Sequence, residues 1–168
     1  MWQLKLCFSR TNQISLLGFT DSGWVNCLDT WRSIGGHMYT LGLGIVSWQV
    51  RKQKTMAASS CEAEYTAAFK VSKEGIWLHT LLNGINHTTT TLTTICCNNN
   101  AAINLSEDPA LHDIVNHIDI KHHFLHEHVQ SNEISLSYIN TNDNVADIFT
   151  KALDTRKFNH FHEFLGLS

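Results

Sequence analysis

The sequence predicts a mixed α/β domain in which helices cover one sheet. Two observations favour this class. The first third contains three segments rich in β-forming residues, at 14–20, 37–41 and 45–50, with glycine-containing turns nearby. After residue 59 the hydrophobic period becomes helical, and helices then alternate with two further strands. This order predicts three antiparallel strands followed by parallel strands with right-handed connections.

The remaining helices and strands are predicted from helix-capping residues and from residues that end a helix. A long helix should begin after Ser59, which forms a capping box with Glu62, and should stop at Asn83-Gly84. The later predictions are a threonine-rich loop at 88–94, a strand ending near residue 97, helices at 101–106 and 118–130, a strand at 134–139, and helices at 143–153 and 157–165. Residues 1–14 lack periodicity and are interpreted as a leader or the end of an upstream region, so the domain is assigned to 15–168.

Composition favours a soluble intracellular protein. No apolar run approaches the ~20 residues that cross a bilayer, so no membrane partner is expected. The five cysteines are an odd number without framework spacing, which is typical of a reducing compartment. Cys96 and Cys97 should point to opposite faces of a strand, which favours two small buried residues over a shared metal site.

The overall charge gives little indication of a nucleic-acid partner. A net charge of −3 and a pI near 6.4 do not provide the basic footprint of a free-standing nucleic-acid binder. Arg51, Lys52 and Lys54 nevertheless form a local basic cluster that could contact phosphates. A solvated strand end explains the same cluster equally well.

One carboxylate of the long helix points toward its apolar face. With residues placed at intervals of about 100°, Glu64 lies on the line of the apolar positions, whereas Glu62 lies about 160° away beside Lys73. The apolar positions are Ala68, Val71, Gly75, Leu78 and Leu82. Because a buried unpaired carboxylate is costly, Glu64 should have a partner such as a metal ion or a base. A salt bridge at the helix end is the alternative.

Two further acids are candidate ligands, and each also has an ordinary explanation. Asp21 closes an apolar strand before a Ser-Gly turn, where ligand-binding acids lie in α/β sheets, but an Asp also commonly initiates turns. Asp147 falls opposite the apolar residues of its predicted helix, so a solvated acid near a helix N-terminus would suffice.

Several ordered motifs resemble one protein family. Residues 47–65 read SWQVRKQKTMAASSCEAEY, which closely resembles the SW-x-x-KKQ-x-T-x-A-x-SS-x-EAEY signature of copia-type ribonuclease H domains. GFTDSGW at 18–24 is similar to the family's GYSDADW. Further matches are WL at 77–78, HIDI at 117–120 and ADIFTKAL at 146–153. The resemblance extends from about residue 16 to residue 167.

The resemblance implies a ribonuclease H-like fold with a five-stranded mixed sheet flanked by helices. It implies two Mg²⁺ ions that hydrolyse the RNA strand of an RNA/DNA hybrid by stabilising the attacking water and the leaving 3′ oxygen. Carried over by position, Asp21, Glu64 and Asp147 correspond to metal-binding acids. The implied partners are the hybrid and a reverse transcriptase domain of the same polyprotein, in a cytoplasmic virus-like particle or in the nucleus.

The chain departs from the family at residues 95–103, which read ICCNNNAAI against a pattern of roughly IYCDNQSAI. Asn98 therefore stands at the position of a fourth catalytic acid. An amide oxygen can contact a cation but brings no charge, so the second metal is predicted to bind poorly and cleavage to be weak or lost. A decayed or repurposed element, a deliberate substrate-trapping change and a tolerant site with residual activity all remain open.

Two other functions are consistent with the residues. A non-catalytic module that binds nucleic acid or protein could keep the same fold. His122 and His126 are four residues apart on a predicted helix, with His123 and His128 nearby, which permits a transition-metal site. A polar helix face that is rich in histidine is the ordinary explanation.

Overall fold

A five-stranded mixed sheet forms the centre of the protein. The structure, a computed structural model, describes residue 6 and residues 15–42, 44–85, 92–107 and 119–165. The strands are β1 Leu16–Cys27, β2 Arg32–Leu41, β3 Gly44–Lys52, β4 Thr93–Cys97 and β5 Ile134–Tyr138, in the spatial order β3-β2-β1-β4-β5. β2 pairs antiparallel with β1 and β3, whereas β4 pairs parallel with β1 and β5. This topology confirms the predicted fold class.

Helices cover both faces of the sheet. The described helices are α1 Ser60–Gly84, α2 Asn100–Glu107, α3 Asp119–Gln130, the 3₁₀ helix Val145–Phe149 and α4 Thr155–Phe164. One apolar cluster packs α1, α2 and α3 on one face, and a second packs the 3₁₀ helix and the C-terminal helix on the other. Cys97 belongs to the first cluster and Cys96 packs against the second, as their alternation on a strand predicts. Within the described residues, no helix combines the length and apolar character needed to cross a membrane.

The central strand β1 is longer than the sequence predicts. Its pairing with β2 continues to Gly23, and the register then shifts before Cys27, where Val25 has a φ of 55°. Ser22 and Gly23 therefore pair regularly within β1, and their interpretation as a turn is wrong. The bulge follows them, between Gly23 and Cys27. As a result Asp21 lies inside β1, paired with Gly36 of β2.

The start of α1 agrees with the predicted capping box, with one difference in its bonding. Ser59 is the N-cap, and its hydroxyl accepts a hydrogen bond from the backbone N–H of Glu62 at 3.2 Å. The Glu62 carboxylate accepts from the N–H of Ala58 at 2.7 Å, one residue before the cap. The first contact satisfies a backbone donor that the first helical turn leaves free, and the second holds the residue that precedes the cap.

The predicted helix at 143–153 is wrong in type and length, because only a 3₁₀ helix of five residues forms there. Its N–H groups bond over three residues, as from Thr150 to the carbonyl of Asp147 at 3.1 Å. In this geometry the Asp147 side chain is fully buried, so its interpretation as a solvated acid is also wrong. Apart from Leu6, the predicted leader at 1–14 lies outside the described residues. So do residues 88–91 of the threonine-rich loop, residue 118 at the start of the next predicted helix, and the HIDI residues before Asp119.

Candidate active site

Asp21 is the central acid of the candidate site. It lies on the middle strand of the sheet and is completely buried. Its Oδ1 accepts hydrogen bonds from the Asn98 amide at 3.3 Å and from the Lys151 ammonium at 3.0 Å. Its Oδ2 accepts from the Thr150 hydroxyl. A buried charge requires such partners, and two segments supply them: Asn98 follows β4, and Thr150 and Lys151 follow the 3₁₀ helix.

The 3₁₀ helix reaches Asp21 because glycine occupies the facing position of β2. A Cβ added at Gly36 would lie 2.6 Å from the Cβ of Phe149, so a larger residue would push the 3₁₀ helix away. The buried Asn144 fixes the same segment, because its Nδ2 donates to the carbonyl of Thr20 at 3.0 Å and its Oδ1 accepts from the N–H of Ala146 at 3.2 Å. The sequence analysis did not identify Asn144.

Asp147 contacts two lysine side chains. Its Oδ1 accepts from Lys151 Nζ and its Oδ2 from Lys157 Nζ, each at 2.8 Å. Lys151 therefore bridges Asp147 and Asp21. Burial tends to lower the pKa of Lys151, but hydrogen bonding to Asp147 and the charge of Asp21 outweigh it, so its pKa lies above the ordinary value. The sequence missed both lysines as site residues, although Lys151 lies in the quoted ADIFTKAL motif, four residues after Asp147.

Glu64 points into the protein from α1, as the helical periodicity predicts. The residue is only 8% exposed, and its Oε2 has no hydrogen-bond partner in the described part of the chain. Burial, reinforced by the charge of Asp21, raises the pKa of Glu64 from 4.5 to about 8, although a hydrogen bond from the backbone of Ser22 opposes the shift. Asp147 and Lys151 also influence this pKa, which places Glu64 within electrostatic range of the other site residues.

Asn98 follows β4 and completes the set. Its Nδ2 lies 3.3 Å from both Asp21 Oδ1 and Thr141 Oγ1, and donates to each. An ionised aspartate has no proton to donate and would repel Asp21 at this distance. Direct contacts therefore link Asn98 to Asp21 and, through Lys151, Asp21 to Asp147, whereas Glu64 is related to them through its pKa. The asparagine makes a contact that an ionised carboxylate could not make without a cation between the two acids.

The oxygen-rich set has the chemistry that hard divalent cations prefer. The unbonded, buried Oε2 of Glu64 and the adjacent acids Asp21 and Asp147 fit such an ion chemically. Within the described residues, however, no three His, Cys, Asp or Glu side chains are placed to hold a metal, and lysines pair with both aspartates. The same finding leaves the histidine-metal alternative without support in that part of the chain, where His128 pairs with Glu133 at 2.8 Å.

Arg51, Lys52 and Lys54 line a groove of about 670 Å³ between β3 and α1, together with three lysines that the sequence analysis missed, Lys70, Lys73 and Lys121. Burial, with the charges of Arg51, Lys121 and Lys54, lowers the pKa of Lys70, so these cations lie close together. Among the described residues, Glu74 is the one acid that lines the groove, and it already pairs with His37 at 2.8 Å.

Aromatic side chains add a second kind of surface to this groove. Phe69 and Trp77 line it, and Trp77 is 60% exposed. Lys70, Lys73 and Trp77 lie three and four residues apart along α1, a helical spacing that could have indicated a shared exposed face. The groove thus offers cations for phosphates and planar rings for bases or sugars.

Solved structures define the class of protein. The chain is similar to the PFV RNase H domain, with a TM-score of 0.53, 10% identity, and coverage of 91% of this chain and 93% of that one. It is also similar to an N-terminal RNase H domain from Mycobacterium tuberculosis, with a TM-score of 0.51, 10% identity, and coverage of 90% and 98%. The chain therefore has the ribonuclease H fold.

Sequence relatives identify the group more narrowly. The chain is 35% identical over 162 residues to the retrovirus-related Pol polyprotein from transposon TNT 1-94 of Nicotiana tabacum, which covers 96% of this chain and 12% of that protein. It is 33% identical over 157 residues to that from transposon RE1 of Arabidopsis thaliana, covering 94% and 11%. No protein-family model matches the chain. The chain thus combines the ribonuclease H fold with sequence similarity to a short segment of retrotransposon Pol polyproteins, which confirms the predicted resemblance.

Proposed function

We propose that this domain is a metal-dependent ribonuclease H that hydrolyses the RNA strand of RNA/DNA hybrids, and that Asn98 lowers its activity. The contacts that join Asn98, Asp21 and Asp147, together with the electrostatic effect of the two aspartates on the buried Glu64, support the proposal. Asp21, Glu64, Asn98 and Asp147 come from β1, α1, the end of β4 and the 3₁₀ helix. Burying three acids side by side destabilises a fold, so such a cluster is typical of a functional site.

The chain's own groups have distinct tasks in this proposal. Asp21, Glu64 and Asp147 would hold Mg²⁺, which when bound supplies positive charge to the attacking water and the leaving 3′ oxygen. Asn98 orients the Asp21 carboxylate through its amide N–H but contributes no negative charge. The site would therefore offer two Mg²⁺ ions one negative charge fewer than four acids would, and binding of the second ion would be weakened most.

Partners and location follow as proposals from the same observations. The RNA/DNA hybrid would dock along the basic groove, with Arg51, Lys52 and Lys54 contacting phosphates. A reverse transcriptase domain of the same polyprotein would be the covalent partner, since the chain spans only 12% of its tobacco relative. An intracellular location, in a particle or in the nucleus, remains a prediction.

A cleavage assay on a labelled RNA/DNA hybrid with Mg²⁺ tests the proposal. The unmodified chain should cleave slowly or not at all, and Asn98→Asp should raise the rate on the order of a hundredfold or more, because each 1.36 kcal/mol of regained metal stabilisation is about tenfold in rate. Asn99→Asp is the matched control. It adds the same charge one residue away and keeps the side-chain oxygen that accepts from the N–H of Ala102 at 3.0 Å, so it should not raise the rate.

Two results would contradict parts of the proposal. Cleavage by the unmodified chain at a rate that Asn98→Asp does not improve would show that Asn98 is not the missing ligand. Absence of cleavage by either protein, with hybrid binding retained, would favour the non-catalytic binding module instead. Glu64→Gln in the Asn98→Asp background should abolish any gain, which excludes a contaminating nuclease as its source.

A further inference from the structure

Two lysine ammonium groups lie inside the acid cluster, which is defined here as Asp21, Glu64 and Asp147. Lys151 Nζ lies 3.0 Å from Asp21 Oδ1 and 2.8 Å from Asp147 Oδ1. Lys157 Nζ lies 2.8 Å from Asp147 Oδ2. Neither lysine is explained by the need for metal ligands, since ammonium groups repel divalent cations.

Donors already engage every oxygen of the two buried aspartates. Asp21 Oδ1 accepts from Asn98 and Lys151, and its Oδ2 accepts from Thr150. The two oxygens of Asp147 accept from Lys151 and Lys157. A divalent cation that approached either aspartate would meet a positive charge about one hydrogen-bond length from the same oxygens.

The two lysines differ in how firmly they are held. Lys157 is additionally fixed by a hydrogen bond to the carbonyl of Thr141 at 2.8 Å and lies 5.3 Å from the centre of the Phe161 ring. Its side chain is 21% exposed, whereas that of Lys151 is 38% exposed. In the described part of the chain, both side-chain hydrogen bonds of Lys151 are to acids of the cluster. The flexible stem of Lys151 can therefore carry its ammonium into solvent more readily.

We propose that Lys151 is an exchangeable internal counter-ion that competes with divalent cations for Asp21 and Asp147. Metal binding then requires the Lys151 ammonium to leave the cluster, while Lys157 stays in place. The inference deepens the proposed metal-dependent function and rests on it. Because the ammonium and the metal stabilise the same carboxylates, removing Lys151 should weaken the fold with EDTA present and strengthen metal binding.

Calorimetric titration with Mn²⁺ tests this exchange, with the Tm recorded in EDTA and in Mn²⁺. Lys151→Met should bind Mn²⁺ more tightly, on the order of tenfold, because the competing charge is gone. Its Tm should fall in EDTA and rise more than that of the unmodified chain when Mn²⁺ is added. Lys151→Gln keeps hydrogen-bond donors without the charge and should show the same gain in affinity if the methionine variant folds poorly.

Two control variants separate a local effect from a general change in charge. Lys151→Arg keeps the charge and should bind Mn²⁺ like the unmodified chain. Lys73→Met removes one positive charge from the groove, outside the acid cluster, and should change the affinity far less.

The outcomes distinguish this inference from the proposed function. If all variants bind Mn²⁺ and neither Lys151→Met nor Lys151→Gln binds more tightly than Lys73→Met, the counter-ion role is overturned while metal binding stands. If no variant binds Mn²⁺, including Lys151→Met combined with Asn98→Asp, the metal-dependent function itself is overturned. Tighter binding by Lys151→Met and Lys151→Gln, but not by Lys151→Arg, supports the exchange.

Discussion

Glu64 is deeply buried, and its Oε2 has no hydrogen-bond partner among the residues that the structure describes. Its pKa therefore differs between the folded and the unfolded chain. Its pKa rises from 4.5 to about 8 in the folded chain, first because burial penalises the charged form and then because Asp21 is close. Between these two pH values the unfolded chain has released its proton and the folded chain retains it. The folded state therefore loses relative stability as the pH rises through this window, by at most about 1.4 kcal/mol per pH unit.

Glu64→Gln should remove this loss. The amide has nearly the same shape and does not ionise, so with EDTA present the variant should gain stability over the unmodified chain between pH 5 and pH 8, by on the order of 2 kcal/mol or more. Urea unfolding at the two pH values measures the difference. Glu62→Gln serves as the control, because Glu62 is less buried and its capping oxygen is retained. Equal pH dependence of Glu64→Gln and the unmodified chain would contradict a strongly raised pKa.

The sequence predicted individual site residues unequally well. Glu64 could be found because burial on a helix repeats with a known period, so a carboxylate on the apolar line is conspicuous. Asp147 could not be found in this way, since its segment forms a 3₁₀ helix and the face assigned from α-helical angles does not apply. Lys151 lies four residues after Asp147, so this pair is local, but the contact of Lys151 with Asp21 and that of Lys157 with Asp147 depend on tertiary docking and leave no local pattern.

At the level of elements, α1 packs on the sheet through an unusually close contact. A Cβ added at Gly75 would lie 2.3 Å from the Tyr39 hydroxyl and 3.0 Å from its Cζ. Tyr39 is fully buried, and its hydroxyl donates to the carbonyl of Val71 at 2.8 Å. The absence of a side chain at residue 75 therefore lets α1 lie directly over the central antiparallel strand pair.

Gly75→Ala should destabilise the fold by roughly 1–3 kcal/mol, because overpacking outweighs the ~1 kcal/mol gain in helix propensity. Tyr39→Phe removes the hydroxyl oxygen that the new Cβ at residue 75 would clash with. The double variant should therefore lose less stability than the two single changes added together. Free energies of unfolding in urea give the coupling. Gly84→Ala lies on the same helix with nothing within 4 Å of the added Cβ, and should be neutral or slightly stabilising. If the stability losses of Gly75→Ala and Tyr39→Phe simply add, the contact between residue 75 and the Tyr39 hydroxyl does not cause the destabilisation.

The helices and strands that the sequence predicts correctly are those with a clear cap, a periodic apolar face or a β-rich segment. α1 has a capping box and a long periodic face, and β4 and β5 have short β-rich segments, so their positions follow from the sequence. The extension of β1 to Cys27 was missed because a serine and a glycine normally indicate a turn, whereas here pairing with β2 holds them in a strand. Pairing with β2 thus keeps these two residues in the strand, and nothing in the local sequence indicates that pairing.

At the level of the whole molecule, charge is separated between two regions. The net charge of −3 averages over a groove with six cations and a buried cluster of acids. A single overall value could therefore not indicate the groove, which forms only when β3 and α1 come together. Electrostatic attraction of a phosphate backbone depends on the local field of the groove rather than on the average.

The groove should give hybrid binding a measurable salt dependence. Arg51→Ala combined with Lys54→Ala removes two cations from it, and each lost phosphate contact lowers the slope of log affinity against log salt by about 0.9 on duplex DNA. The double variant should bind an RNA/DNA hybrid more weakly in 50 mM NaCl, with a slope nearly two units shallower, in fluorescence anisotropy with EDTA present. Arg32→Ala combined with Arg156→Ala removes the same net charge from residues that do not line the groove, and should leave the slope nearly unchanged. If both double variants lose affinity equally, the attraction is a general effect of charge. If neither loses affinity, the hybrid binds elsewhere on the domain.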